Sequence, residues 1–184
     1  MNNGLHIPLR GGRSHNKFVR PQEKFLFLAS DTVDSRESQI REFLSGSPSL
    51  ALVLAAINFE WTVSRAVLFL SPNPNGAVRT AMKAYYSLDG YKDLWKAEVV
   101  TSTQPTGLAA VVRNWSELRG AFDARNVLVH GKDRYTRNMA TPHVSAALKS
   151  VRYVDAYCVA RGVDLSTRMP VRRAKRPIPS SERP

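Results

Sequence analysis

Proline positions constrain the fold of this chain most strongly, because they bound one long segment without proline or glycine between Pro48 and Pro72. Ser47-Pro48 is typical of a helix start, since serine caps helix N-termini and proline fits the first helical turn. Pro72 restricts the residue before it and cannot continue a helix. The sequence therefore predicts a long helix from Ser47 to about Leu70.

Caps and breakers divide the remainder of the chain into further helices. Asp31 or Thr32 can cap a first helix, Gly131 is placed to end a later one, and Thr141-Pro142 repeats the start signal. Besides the long helix, the expected helices cover residues 31–44, 76–88, 89–99, 108–129 and 141–162. Because strand signals are few, we expect an all-α bundle of five or six helices.

The charge is strongly basic and is concentrated at the two ends. Lys and Arg number 27 against 15 Asp and Glu, a net charge of +12. Residues 1–24 and 165–184 carry eleven basic and two acidic residues together. We therefore expect a flexible basic N-terminal arm at 1–24, a helical domain at 25–164 and a flexible basic Pro/Arg-rich tail at 165–184. A basic balance of this kind favours a polyanionic partner such as nucleic acid, although basic tails can serve solubility alone.

Several classes of site are not expected from the sequence. A single cysteine, Cys158, allows neither an intrachain disulfide nor a thiolate zinc site, which fits a reducing cytoplasmic setting. P-loop, dinucleotide-binding, zinc-protease and nucleophile-elbow signatures are absent, so we expect no cofactor. The four histidines are not spaced for a metal on one helix: His6, His15, His130, His143. The apolar run Leu50–Ile57 is shorter than the roughly 20 residues of a membrane span, so we expect no membrane partner.

The segment Arg125–Gly131 carries the most informative polar residues. Histidine can act as an acid or a base near neutral pH, and arginine offers a fixed charge and a fork of donors for phosphate. His130 could activate an RNA 2′-hydroxyl or protonate the leaving oxygen, while Arg125 stabilises the phosphate. These two residues are about 140° apart around an ideal helix, so an antiparallel second copy would join them better than one chain does. Asn126 lies on the same face as His130.

A simpler interpretation of this segment needs no catalysis. A histidine at a helix C-terminus is favoured by the helix dipole, and Arg125 could form a surface ion pair. Spacing alone favours this interpretation. The tryptophans are likewise expected in the core, and Cys158 is expected to be a small buried residue.

The motif Arg125–His130 near the end of a helix, with polar Asn126 after the arginine, resembles the HEPN superfamily, including its RiboL-PSP-like and related stand-alone members. The resemblance covers roughly residues 31–162 and extends to Asn58–Arg65 on an earlier helix, where Glu60 and Arg65 match an acidic and a basic residue common in that superfamily.

The resemblance implies a small helical bundle that dimerises and unites two motifs in one metal-independent ribonuclease site. Its expected product is a 2′,3′-cyclic phosphate from single-stranded RNA or tRNA, and its expected role is a toxin or antiviral-defence effector with an antitoxin or other regulatory partner. Arg125, Asn126 and His130 would be catalytic, and Glu60 and Arg65 supporting. The basic residues after the motif would bind RNA: Lys132, Arg134, Arg137.

Two other functions fit the same features. A HEPN-like adaptor would bind RNA or a protein without cutting, with the basic tails supplying affinity. A helical DNA-binding regulator would also be basic and all-α, but its best candidate reading helix, residues 76–88, is mostly apolar or aromatic.

Overall fold

The computed structural model describes residues 31–131 and 134–173, and within these ranges the chain is all-helical. Seven helices and no strand are present there, which confirms the all-α class. The helices are α1 (Val33–Gly46), α2 (Pro48–Leu70), α3 (Asn75–Met82), α4 (Leu88–Glu98), α5 (Leu108–Val112), α6 (Trp115–Val129) and α7 (Arg137–Val159).

Helix α2 lies at the centre of the bundle. It packs against α1, α3, α4, α6 and α7, and its most extensive contact is with α7. Apolar side chains on several sides of α2 are fully buried, among them Leu52, Phe59 and Val67. A helix that is apolar nearly all round is expected in such a position. Length and hydropathy alone would also allow α2 to cross a membrane, but 61% of its most apolar window is buried inside the bundle.

Local signals define two helix starts and one helix end as the sequence predicted, although the Ser47 side chain makes no capping hydrogen bond. The Thr32 side chain accepts a hydrogen bond from the Ser35 backbone N–H at the start of α1. Pro48 occupies the first turn of α2. Gly131 follows α6 in the left-handed region, with φ of +66°, where a glycine avoids the steric cost of a Cβ.

The predicted single helix over residues 108–129 was wrong, because the chain breaks between α5 and α6. Arg113 adopts φ of +57°, and Asn114 is buried beside α7. The Asn114 amide donates to the Ala146 carbonyl at 3.1 Å and its oxygen accepts from the Ser150 hydroxyl at 2.9 Å. These contacts come from a helix distant in sequence, so local periodicity could not reveal the break.

Two other helix boundaries also differ from the sequence prediction. Helix α3 ends at Met82, and Ser87 caps α4 by accepting from the Gly90 N–H. Helix α7 begins at Arg137, where the Thr136 side chain accepts from the Met139 N–H, and Pro142 lies inside the helix. The cap at Thr136 therefore takes precedence over the Thr141-Pro142 signal.

The chain after α7 packs against the bundle at least as far as Arg172, so the predicted flexible tail from residue 165 begins too early. Leu165 is 1% exposed. The Arg65 guanidinium donates to the carbonyls of Leu165 and Thr167. Arg172 donates to the Phe69 carbonyl at 3.1 Å, near the C-terminus of α2. The predicted arm at 1–24, the first residues of the domain and the final residues 174–184 lie outside the described residues.

The left-handed backbone at Arg113 predicts an unusual response to glycine. Arg113→Gly should be more stable than Arg113→Ala by about 1 kcal/mol, because a Cβ is unfavourable in that region. Lys149 is an exposed residue inside α7. There Lys149→Ala should be more stable than Lys149→Gly by about 1 kcal/mol, because glycine is unfavourable in a helix interior. Urea unfolding of the four variants measures both differences. If glycine is the less stable residue at both positions, the break between α5 and α6 is contradicted.

Candidate functional site

The C-terminal half of α6 faces α2 through an aromatic contact that sets the register of the two helices. The rings of Phe59 and Phe122 meet edge to face, with centroids 5.8 Å apart. One turn further along α6, Arg125 Nη2 lies 3.8 Å from Glu60 Oε1. The Arg125 and Glu60 side chains are 27% and 21% exposed, so this ion pair is largely shielded from solvent. The structure thus joins two of the predicted site residues.

Arg125 also contacts the neighbouring polar residue of the motif. Its Nη1 donates to Asn126 Oδ1 at 3.0 Å. Its Nε is buried and has no hydrogen-bond partner within the described part of the chain. A buried donor without a partner is unfavourable, and such groups are uncommon in folded proteins. Arg125 therefore has one buried donor that its contacts with Glu60 and Asn126 leave unsatisfied.

Arg125 and Asn126 line a cleft of about 150 Å³ between α2, α4 and α6. A cavity of about this size can hold one aromatic ring. The other lining residues are Glu60, Tyr86, Ser87, Leu88, Asp89, Arg119, Phe122 and Asp123. Three carboxylates and two guanidinium groups share this cleft, so its charges nearly balance.

Sequence reasoning missed Asp89 and Arg119, which form a bidentate ion pair at one side of the cleft. Arg119 Nη2 and Nη1 donate to Asp89 Oδ1 and Oδ2 at 2.8 and 3.1 Å. Tyr86, also missed, is 84% exposed at the rim. No local sequence signal connects α4 with α6, so only the tertiary packing reveals these neighbours.

The electrostatic environment differs between the carboxylates of the cleft. Burial raises the pKa of Glu60, and the nearby Arg125 charge opposes that shift. Hydrogen bonds from Arg119 and Lys92 lower the pKa of Asp89. Burial raises the pKa of Tyr91, and the Glu60 charge contributes to the same shift. Glu60 therefore carries a partly desolvated carboxylate against Arg125.

His130 lies at the end of α6 and is not among the residues that line the cleft. Its backbone N–H donates to the Asn126 carbonyl at 3.0 Å, and its side chain is exposed. The preceding residue, Val129, is 58% exposed. One chain thus places Arg125 and Asn126 in the cleft and leaves His130 outside it.

Arg65 does not support Arg125, contrary to the expectation from the sequence. Its guanidinium lies 5.2 Å from the Trp61 ring centroid and binds the carbonyls of the chain after α7. These contacts give Arg65 a structural role in fixing residues 165–167 onto α2.

The predicted RNA-binding residues lie between α6 and α7 or at the start of α7. Arg134 and Arg137 are both exposed there. Lys132 lies outside the described residues. No group of histidine, cysteine or acidic side chains suited to a metal ion occurs in residues 31–131 and 134–173. Cys158 is buried, as expected, and burial raises the pKa of its thiol to about 12.

Comparisons with known proteins add no relative. No protein-family model matches the chain, and neither a curated protein nor a solved structure matches it.

The buried environment of Glu60 predicts a pH-dependent effect of Glu60→Gln. The pKa of Glu60 is higher in the folded state than in the unfolded state. As the pH rises and Glu60 ionises, the free energy of unfolding of the parent therefore falls. Glutamine does not ionise, so the free energy of unfolding of the variant relative to the parent should increase between pH 4 and pH 7. Urea unfolding at several pH values measures this difference. A relative stability that falls with pH would show that pairing with Arg125 outweighs burial.

Proposed function

We propose that this protein is a homodimeric, metal-independent endoribonuclease that cleaves single-stranded RNA. The observation that carries the proposal is the position of Arg125 and Asn126 in a polar cleft, with His130 exposed at the end of the same helix. Arginine and histidine are suited to phosphodiester cleavage at an RNA 2′-hydroxyl, arginine as the phosphate-binding group and histidine as the acid or base. The bundle is all-helical, as the HEPN-like interpretation of the sequence expects.

The proposed reaction is an internal transesterification. A neutral His130 accepts the proton of the RNA 2′-hydroxyl, and the 2′-oxygen attacks the adjacent phosphorus. The bond between phosphorus and the 5′-oxygen breaks, that oxygen takes a proton from a water molecule, and the protonated His130 returns its proton to the hydroxide that is left. The products are a 2′,3′-cyclic phosphate and a free 5′-hydroxyl. Arg125 stabilises the added negative charge on the phosphate oxygens, and Asn126 orients its guanidinium.

A second copy of the chain is needed because one chain does not bring His130 into the cleft. In an antiparallel pair of α6 helices, the His130 of each copy would approach the Arg125 of the other. The exposed Val129 beside His130, together with Ile57 on α2, supplies apolar surface for such a contact. A twofold axis would then form two equivalent sites.

The surroundings of this dimer site fit an RNA substrate. Arg134 and Arg137 are exposed next along the chain, where cationic groups can contact phosphates of a bound strand. Lys132 would add a third cation. A ribonuclease of this type in the cytoplasm would act as a toxin or a defence effector and would need an antitoxin or another regulatory partner to restrain it.

The second candidate is an adaptor that binds RNA or protein without cutting. The observation that favours it is the Glu60–Arg125 ion pair, because a purely structural arginine would form this contact too. An adaptor would bind RNA in a salt-sensitive way and would lose affinity when residues 174–184, which carry several basic side chains, are removed.

The ribonuclease proposal predicts that His130→Ala lowers RNA cleavage by at least about a hundredfold, because it removes the general acid or base. Parent and variant are incubated with total RNA in EDTA, and the new RNA ends are analysed for 2′,3′-cyclic phosphate. His143→Ala is the matched control, since His143 of α7 packs beside Tyr135 and is outside the cleft.

Equal cleavage by folded His130→Ala and parent protein would contradict the assignment of His130. Salt-sensitive RNA binding without products, unchanged by His130→Ala, would instead favour the adaptor. Circular dichroism and sedimentation of each variant confirm that fold and assembly are intact.

A further inference from the structure

A second cavity lies between α5 and α7 and shares no lining residue with the cleft at Arg125. Its volume is about 550 Å³, within the range of small-molecule sites. We call it the α5/α7 groove. Its lining residues are Thr106, Ala110, Val111, Arg113, Tyr153, Ala156, Tyr157, Ala160 and Arg161.

The α5/α7 groove is cationic, unlike the charge-balanced cleft. Arg113 and Arg161 line it, and no acidic side chain is among its described lining residues. Lys149 lies beside the groove and outside its lining, with Nζ 6.0 Å from the Tyr153 ring centroid. Lys149, Tyr153 and Tyr157 follow one another at four-residue intervals along one face of α7, and Arg161 follows in the turn just after the helix ends. Such an arrangement favours an anionic ligand with an aromatic part.

The two tyrosines of the groove differ in what they can offer a ligand. Tyr157 packs edge to face on Trp95 at 5.5 Å, and the Arg161 guanidinium lies 3.4 Å from its ring centroid. The Tyr157 hydroxyl is buried and has no hydrogen-bond partner in the described part of the chain. Tyr153 is half-buried, and the cations nearest its ring lie 5.8 and 6.0 Å from the centroid. Tyr153 can therefore stack against a ligand, whereas Tyr157 holds the Arg161 guanidinium, which also donates from Nη1 to the Tyr157 carbonyl at 3.1 Å.

Backbone conformation and small side chains keep the groove open. Ala110, Ala156 and Ala160 are exposed along it, so no bulky group fills the space between the tyrosines and arginines. Arg113 is the only described residue other than glycine with positive φ. The fold holds this arginine at the groove in an unfavourable backbone conformation, a feature that occurs often at ligand sites.

We propose that the α5/α7 groove binds a nucleoside phosphate, either as a free mononucleotide or as one nucleotide of a single-stranded RNA. The base stacks on Tyr153, as bases do on exposed aromatic rings of single-strand-binding proteins. The phosphate lies between Arg113 and Arg161. When RNA is the source, the groove is an additional strand-binding site for the proposed ribonuclease. Binding of a free mononucleotide does not depend on ribonuclease activity.

The first test is calorimetric titration of the full chain with AMP, adenosine and ribose 5-phosphate. AMP should bind more tightly than either fragment, because only AMP engages both Tyr153 and the arginines. Tyr153→Leu should weaken AMP binding by about fivefold or more, and Tyr153→Phe should keep it, since stacking needs only the ring. Arg161→Gln should also weaken binding. Arg79→Gln, an equal charge change at an exposed residue of α3 outside the groove, should not.

The second test uses a short single-stranded oligoadenylate with the His130→Ala protein, which prevents cleavage from obscuring binding. Tighter binding of the oligonucleotide than of AMP identifies RNA as the ligand, and equal binding identifies the mononucleotide. Absence of AMP and oligonucleotide binding at millimolar concentration overturns the proposal. AMP binding that Tyr153→Leu leaves unchanged also overturns the proposal. The same holds if Arg79→Gln weakens AMP binding as much as Arg161→Gln does. If the protein binds AMP but cuts no RNA, the ribonuclease proposal is refuted and the proposal for the α5/α7 groove stands.

Discussion

Burial of α2 is the constraint on which the remainder of the structure depends. A helix covered on most sides must find partners for each polar side chain it carries, since an unpaired polar group in the interior is costly. Asn58 accepts a hydrogen bond from Arg36 Nε of α1 at 3.0 Å. Arg65 binds carbonyls of the chain after α7, and Glu60 faces Arg125 of α6. Asn58, Glu60 and Arg65 thereby each contact a different neighbouring element.

The buried charge on α1 shows how this constraint operates. Arg36 is 1% exposed, and burial lowers the pKa of its guanidinium. It remains tolerable in the interior because it donates to Asn58 and to the Asp31 carbonyl and lies 4.2 Å from the Trp61 ring centroid. The same logic connects Glu60 with Arg125. Within the described part of the chain, each of the two clusters keeps one buried donor without a hydrogen-bond partner, Asn58 Nδ2 beside Arg36 and Arg125 Nε beside Glu60.

Local signals in the sequence predicted most helix ends, whereas contacts between distant elements could not be predicted. Pro48, Thr32 and Gly131 act through the local backbone, so their effects are visible in sequence. The break at Asn114 depends on Ser150 and the Ala146 carbonyl of α7. Likewise the motif pointed to the end of α6, but nothing local indicated the Asp89–Arg119 pair or the packing of Leu165.

The central claim is that the site is composite, with Arg125 and His130 contributed by different copies. Mixing Arg125→Ala with His130→Ala tests this most directly, because a mixed dimer contains one site with both residues intact. After the two inactive variants are unfolded together and refolded at equal amounts, RNA cleavage in EDTA should return to about a quarter of the parent rate. Each variant refolded alone should remain inactive. No recovery in a mixture that demonstrably contains mixed dimers would contradict the composite site.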